Sequence, residues 1–194
     1  MSGPRVVLLH GFSGDPSSWD GVLSHVSMPV RPVRPALVGH RGGPRADGST
    51  TWDGEVARLA ALVDLEADAA AHDTGSVVLV GYSLGARLAL AIALGRPARI
   101  ARLVLVSPSA GIEADDERAA RRAADDALAG SIVERGLTAF VDRWEALPLL
   151  TTQRALPPEV RAAHRARRLA HEPRSLAASL SALSRGRMPW LEPR

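Results

Sequence analysis

The segment Val77–Leu94, VVLVGYSLGARLALAIAL, restricts the fold more than any other part of the chain. A run of apolar, β-branched residues ends at Gly81-Tyr82-Ser83-Leu84-Gly85, and an apolar helical pattern starts at once. The first part shows no polar alternation, as expected of a strand covered on both faces. The second reads as a helix stopped by Gly95 and Pro97. G-x-S-x-G at such a joint is a nucleophile elbow, a sharp turn that holds a serine out above the sheet edge. Side chains at positions 81 and 85 would clash in that turn, which accounts for both glycines. The competing reading is a plain tight turn with an incidental serine.

Similar apolar runs occur at RVVLLHGF (5–12) and ARLVLVSP (101–108), and both read as buried strands. Pro29, Pro32 and Pro35 exclude a helix after the first strand, while ALVG (36–39) has the composition of a strand entering a loop. A short helix is expected from about Ser18. TTWDGEVARLAALVDLEADAAAHD (50–73) is helical by the spacing of Val56, Leu59, Leu62, Val63 and Leu65, with a rough capping signal at Thr51. Strands alternating with helices imply βαβ units and a parallel sheet. From Glu113 to about Ser184 the chain is helical and rich in Ala and Arg, divided by Pro148 and Pro157-Pro158.

Composition narrows the class further. A chain of 194 residues suits one domain, able to bury roughly 70% of its unfolded surface. No apolar run is long enough for a membrane span, and MSGPRVVLLHGF lacks the pattern of a signal peptide. The absence of cysteine excludes disulfides and thiolate metal sites and fits a cytoplasmic protein. All 24 basic residues are arginine, yet the formal net charge is only +3. Acids are interspersed, as in ADDERAARRAADDA, which reads as a solvated helix with i,i+4 pairs rather than a nucleic-acid surface. HRGGPRADG lacks the Walker pattern, and no His/Asp cluster has metal spacing.

LHGF (9–12) supplies a partner for the elbow. In folds with this turn a second backbone N–H comes from the loop after an earlier strand, here that of Phe12, to meet that of Leu84. His10 is expected to hold this loop. Arg87, one turn beyond Ser83, reads equally as a surface arginine or as an anion-binding group beside the serine.

Five segments together (LLHGFSGDPSSW, GYSLGAR, SPSAGI with ERAARR, AFVDRWEALPLL and LSALSRGRMPWLEP) resemble the 2-succinyl-6-hydroxy-2,4-cyclohexadiene-1-carboxylate synthases of menaquinone biosynthesis. The resemblance runs over essentially the whole chain. It implies an α/β-hydrolase fold: a parallel sheet with helices on both faces plus a helical cap. Core, cap and start of the return to the core are expected at 1–110, 111–186 and 187–194. It implies a lyase that expels pyruvate from a small polycarboxylate, with no metal or organic cofactor, no nucleic acid and no membrane. By the same resemblance Ser83 is the catalytic serine, and Phe12 and Leu84 are the oxyanion donors. Tyr82, Arg87, Arg121, Trp144 and Arg168 then line the substrate site. Trp144 is also spaced to pack on Phe140 at i,i+4.

Two departures stand out. The group's GHG loop appears as VGHRGGP, with Arg41 after His40. The triad order in this fold is serine, acid, histidine, and MPWLEPR follows directly on the cap. The resemblance therefore implies a C-terminally truncated chain without triad acid or histidine. His10 and His40 precede the serine, His25 and His72 fall in expected helices, and His164 and His171 lie in the cap. The strand ending near Ser107 then becomes an exposed apolar edge, and poor solubility is expected. An ester hydrolase of the same fold and a non-catalytic remnant or binding module remain as alternatives to the synthase.

Overall fold

The computed structural model describes residues 3–70 and 75–191. His72 and the last three residues of MPWLEPR lie outside the described residues. Four parallel strands, β1 (Arg5–Leu9), β2 (Arg31–Val33), β3 (Val77–Tyr82) and β4 (Ile100–Val106), form one sheet in the order β2-β1-β3-β4. Six helices accompany them: α1 (Asp20–Leu23), α2 (Trp52–Asp68), α3 (Leu84–Gly95), α4 (Asp115–Glu145), α5 (Pro158–Leu169) and α6 (Pro173–Ala182). 3-10 segments precede α1 at Pro16–Trp19, β4 at Pro97–Arg99 and α5 at Pro148–Ala155.

The periodicity of α2 explains its packing. Leu59 and Val63 are buried, while Leu65 faces solvent. Each buried side chain contributes roughly 1.5–3 kcal/mol. Thr51 caps the helix, its Oγ1 accepting the Gly54 N–H at 3.1 Å, an interaction worth about 1 kcal/mol. Together with Leu88 and Ile92 of α3, these residues cover Val7, Leu9, Val77 and Leu79 of the sheet in one cluster. The alternate residues Val6, Val78 and Val80 stay half-buried.

Two expectations need correction. The second strand is Arg31–Val33, not ALVG, whose residues turn into a loop. Pro32 is tolerated because β2 pairs on one side only, so its missing N–H breaks no ladder. β4 is not buried, although its composition suggested it. Only Ile100 and Leu105 pack on the core, and Leu103, Val104 and Val106 are exposed. Among the described residues nothing pairs with its outer side, as the edge-strand expectation required.

Beyond β4 the chain is helical. α4 is broken at Gly136, whose φ of 79° interrupts the helix. Ala129, Ile132, Phe140 and Val141 of α4 pack against Leu176, Ala177 and Leu180 of α6 in a second cluster, joined by Phe12. Among the described residues no helix is long and apolar enough to cross a membrane.

An unpaired apolar strand is a template for another chain. A lysine at Val104, which is 46% exposed, is therefore expected to raise the monomer fraction of this chain in size-exclusion chromatography with light scattering. Its melting temperature should change little. A wild-type chain that is already monodisperse and cooperatively melting contradicts the edge argument.

Candidate active site

The elbow forms as the sequence requires. Ser83 has φ 52° and ψ −110°, a conformation that costs a non-glycine residue energy and recurs at functional turns. Its N–H continues the β3–β4 ladder to the Val106 carbonyl at 2.9 Å, and its carbonyl accepts the Arg87 N–H at 3.1 Å. A Cβ at Gly85 would overlap the Leu9 carbonyl, and one at Gly81 would overlap Gly85. Backbone thus touches backbone where α3 begins.

The loop after β1 is pressed against the same turn. A Cβ on Gly11 would lie 2.8 Å from the Tyr82 ring. The loop is closed by the Gly14 N–H on the Gly11 carbonyl at 3.0 Å, leaving Phe12 N–H out of its turn bonds. Leu84 is the first residue of α3, where N–H groups have no intrahelical acceptor. Both residues face one cavity of about 520 Å³ at the carboxyl ends of the strands, roofed by the helical segment. Ligands of open parallel sheets bind at this edge.

Every residue singled out from the sequence lines that cavity: Ser83, Phe12, Leu84, Tyr82, Arg87, Arg121, Trp144 and Arg168. Trp144 does both things its spacing allowed. It packs on Phe140 (ring centroids 5.3 Å) and Phe12 (5.5 Å) and still faces the cavity. Arg87 is not a surface residue. Its Nη1 donates to the Leu183 carbonyl at 3.1 Å, and its guanidinium carbon lies 5.8 Å over the Trp52 ring. Burial first, then the charge of Arg121, pushes its pKa down to about 10.

The other cationic groups are partly satisfied. Arg121 donates to Asp125 at 2.8 Å, the i,i+4 pairing its sequence suggested. Arg168 is held by Glu145 at 2.8 Å and by Gln153 at 3.0 Å. Arg167, also on the wall, bonds Ser17 Oγ at 3.0 Å and lies 3.4 Å from Asp15. Arg165 turns outward to Asp142 and Glu145. Sequence reasoning missed Arg185, His164 and Gln153 as cavity residues. No local pattern separates Arg185 from the many other arginines.

The histidines are mostly structural. His10 Nδ1–H donates to the Gly11 carbonyl at 2.9 Å, and its Nε2 accepts the Leu37 N–H at 3.1 Å. His40 Nδ1–H donates to the Val38 carbonyl at 3.1 Å, and its Nε2 accepts the Ser13 N–H at 3.2 Å. His171 Nε2–H donates to the Ser13 carbonyl at 3.1 Å, and its Nδ1 accepts the Arg41 N–H at 2.9 Å. The hydrogen-bond network fixes these tautomers. The rings meet edge to face, at 5.0 Å for His10–His40 and 5.5 Å for His40–His171. Together they tie the β1 loop, the VGHRGGP loop and the segment after α5. Burial pushes His10 down to about 4 and holds His40 and His171 below the usual imidazole range. His25 caps nothing in a helix interior but follows α1, its ring bonded to the Gly21 carbonyl. His164 lines the cavity and is held low by burial and then by Arg167 and Arg168. No histidine among the described residues hydrogen-bonds Ser83 Oγ.

Residues 6–193 match the alpha/beta hydrolase family, and the chain belongs to that family. Within it the similarity is to the synthase group. A Bacillus subtilis (strain 168) protein provisionally named 2-succinyl-6-hydroxy-2,4-cyclohexadiene-1-carboxylate synthase is 35% identical over 188 residues, 96% of this chain and 66% of its own length. The structure of MenH from S. aureus superposes with a TM-score of 0.86 at 32% identity, covering 98% of this chain and 70% of that one. The pimeloyl-[acyl-carrier protein] methyl ester esterase of Aromatoleum aromaticum is 35% identical over 154 residues, 79% of this chain and 55% of its own. The chain thus spans about two thirds of the synthase-type relatives.

Two outcomes test this geometry. Gly85→Ala is expected to destabilise the chain by about 3 kcal/mol or more, because its methyl group meets backbone rather than a mobile side chain. Calorimetry showing a near-wild-type transition contradicts that. The histidines set the acid limit. Their folded pKa values lie below the unfolded 6.5, so between about pH 6.5 and 4 the unfolded chain binds more protons, and stability falls as pH falls. His40→Gln should shrink the acid-side slope by about one proton, and an unchanged slope refutes a neutral buried His40.

Proposed function

We propose that the Ser83 cavity takes a small polycarboxylate and that its reaction is the elimination of pyruvate. The substrate would be 2-succinyl-5-enolpyruvyl-6-hydroxy-3-cyclohexene-1-carboxylate, the product 2-succinyl-6-hydroxy-2,4-cyclohexadiene-1-carboxylate. The observation that carries this reading is Arg87: a half-buried guanidinium four residues from the elbow serine, in the same cavity and without a carboxylate bonded to it among the described residues. A cation so placed favours an anionic ligand, because the groups that touch it directly, the Leu183 carbonyl, the Met188 sulfur and the Trp52 ring, are all neutral.

The chemistry assigns roles. A base removes the proton from the ring carbon next to the succinyl carbonyl. Charge gathers on that carbonyl oxygen, which the N–H groups of Phe12 and Leu84 face as an oxyanion hole. The electrons return, the ring double bond shifts, and the carbon–oxygen bond to the enolpyruvyl group breaks. The departing enolate takes a proton to become pyruvate. Ser83 is the base by position, and a serine hydroxyl needs a second base to act so at neutral pH. Tyr82, Arg121, Trp144 and Arg168 complete the binding wall. All of this proceeds without a metal or organic cofactor. The chain's place is the cytoplasm, where a charged soluble substrate would reach it.

An ester hydrolase is the second reading, favoured by the esterase relative described above. The arginines argue against a neutral ester. Pyruvate release by the protein, followed with a lactate dehydrogenase couple, separates the two. The synthase reading expects release that Ser83→Ala abolishes, and an Arg87→Gln variant with KM raised about tenfold or more. Hydrolysis of a neutral aryl ester without pyruvate release overturns it in favour of the hydrolase. Inactivity in both assays overturns both and leaves a binding module.

A further inference from the structure

We infer that Arg185 is a second carboxylate-binding residue of the Ser83 cavity, paired with Arg87 on one turn so that the two guanidiniums receive a single carboxylate. The inference deepens the proposed function and rests on that cavity being the substrate site.

Charge is the first argument. Five arginines line the cavity, with Asp125 as the one carboxylate among the lining residues. Arg121 is neutralised by Asp125, Arg167 lies near Asp15 and Arg168 is held by Glu145. Arg87 and Arg185 have no carboxylate partner among the described residues. The Arg185 Nε is moreover buried with no hydrogen-bond acceptor. A buried donor left unmade is costly, and a guanidinium edge of this kind matches a carboxylate in fork geometry.

Placement is the second argument. Arg185 follows α6 in a turn whose backbone is locked. Ser184 Oγ donates to Asp125 at 2.7 Å and accepts the Gly186 N–H at 3.0 Å. Arg122 donates to the Gly186 carbonyl at 3.2 Å. A Cβ on Gly186 would lie 2.7 Å from the Arg122 nitrogen, so the turn is pressed directly on α4. The same turn receives Arg87, through the Leu183 carbonyl and, at 3.7 Å, the Met188 sulfur. Two cations without a bonded carboxylate are thus held on one short segment; the charge of Asp125, which Arg121 already pairs, offsets part of the lowering of the Arg87 pKa, and the charge of Arg185 adds to it. An anion between them relieves their repulsion and supplies the missing acceptor.

The test is calorimetric binding with succinate as probe and dimethyl succinate as its uncharged counterpart, so turnover is not needed. Wild-type protein should prefer succinate. Arg185→Gln should weaken succinate binding by about 10- to 100-fold and leave dimethyl succinate unchanged, while Arg185→Lys, which keeps the charge, should retain part of the affinity. In the Arg87→Gln/Arg185→Gln double variant the losses should be less than multiplicative, since one carboxylate serves both residues. Fully multiplicative losses, an unchanged Arg185→Gln variant, equal losses for both probes, or no succinate binding by wild type each overturn the inference. Succinate selectivity without pyruvate release sinks the reaction but spares the pair, so the two failures are distinguishable.

Discussion

The close approach of α3 to β1 is the contact on which the rest depends. Gly85 lies against the Leu9 and His10 carbonyls with no room for a methyl group. Two residues before it, at the joint where the helix leaves β3, Ser83 holds its positive-φ conformation. The contact also brings the Gly11–Gly14 loop beside the serine. Ser13 and Ser107 share the positive-φ region and the cavity wall with Ser83. Strained turns at three strand ends therefore converge on one space, the pattern expected when backbone strain is held in place by surrounding structure for a site.

Neutral histidines and charged arginines divide the remaining work. His10, His40 and His171 serve as backbone brackets, each accepting one N–H and donating to one carbonyl. They can do so only while uncharged, since a protonated ring has no acceptor. The arginines supply positive charge that their protein partners do not fully cancel. A cavity built this way favours a compact polyanion and disfavours neutral ligands, which gain nothing from the desolvated guanidiniums.

Much of this was legible in the sequence because it is local. The elbow is a five-residue signal in which glycine spacing, strand composition and helix pattern agree. LHGF and GYSLGAR lie at strand ends, so one topology rule brings Phe12, Ser83 and Arg87 together. Thr51 and the apolar spacing of α2 fix that helix through local interactions alone. What failed depended on neighbours. β4 has the composition of a buried strand, yet pairing, not composition, decides exposure, and only β3 lies beside it. RPV, not ALVG, pairs with Arg5–Val7 of β1, and an edge position accepts its proline. Arg185 carries no local mark, and its role arises from a turn locked to α4 some sixty residues earlier in the chain.

The central claim is that this cavity recognises a polycarboxylate at the elbow serine. A crystal structure of the Ser83→Ala variant with 2-succinyl-5-enolpyruvyl-6-hydroxy-3-cyclohexene-1-carboxylate tests it most directly. The account predicts a carboxylate on Arg87 and the succinyl carbonyl oxygen within hydrogen-bond distance of the Phe12 and Leu84 N–H groups. A ligand bound elsewhere, or one in the cavity with its carboxylates turned away from the arginines, would contradict it.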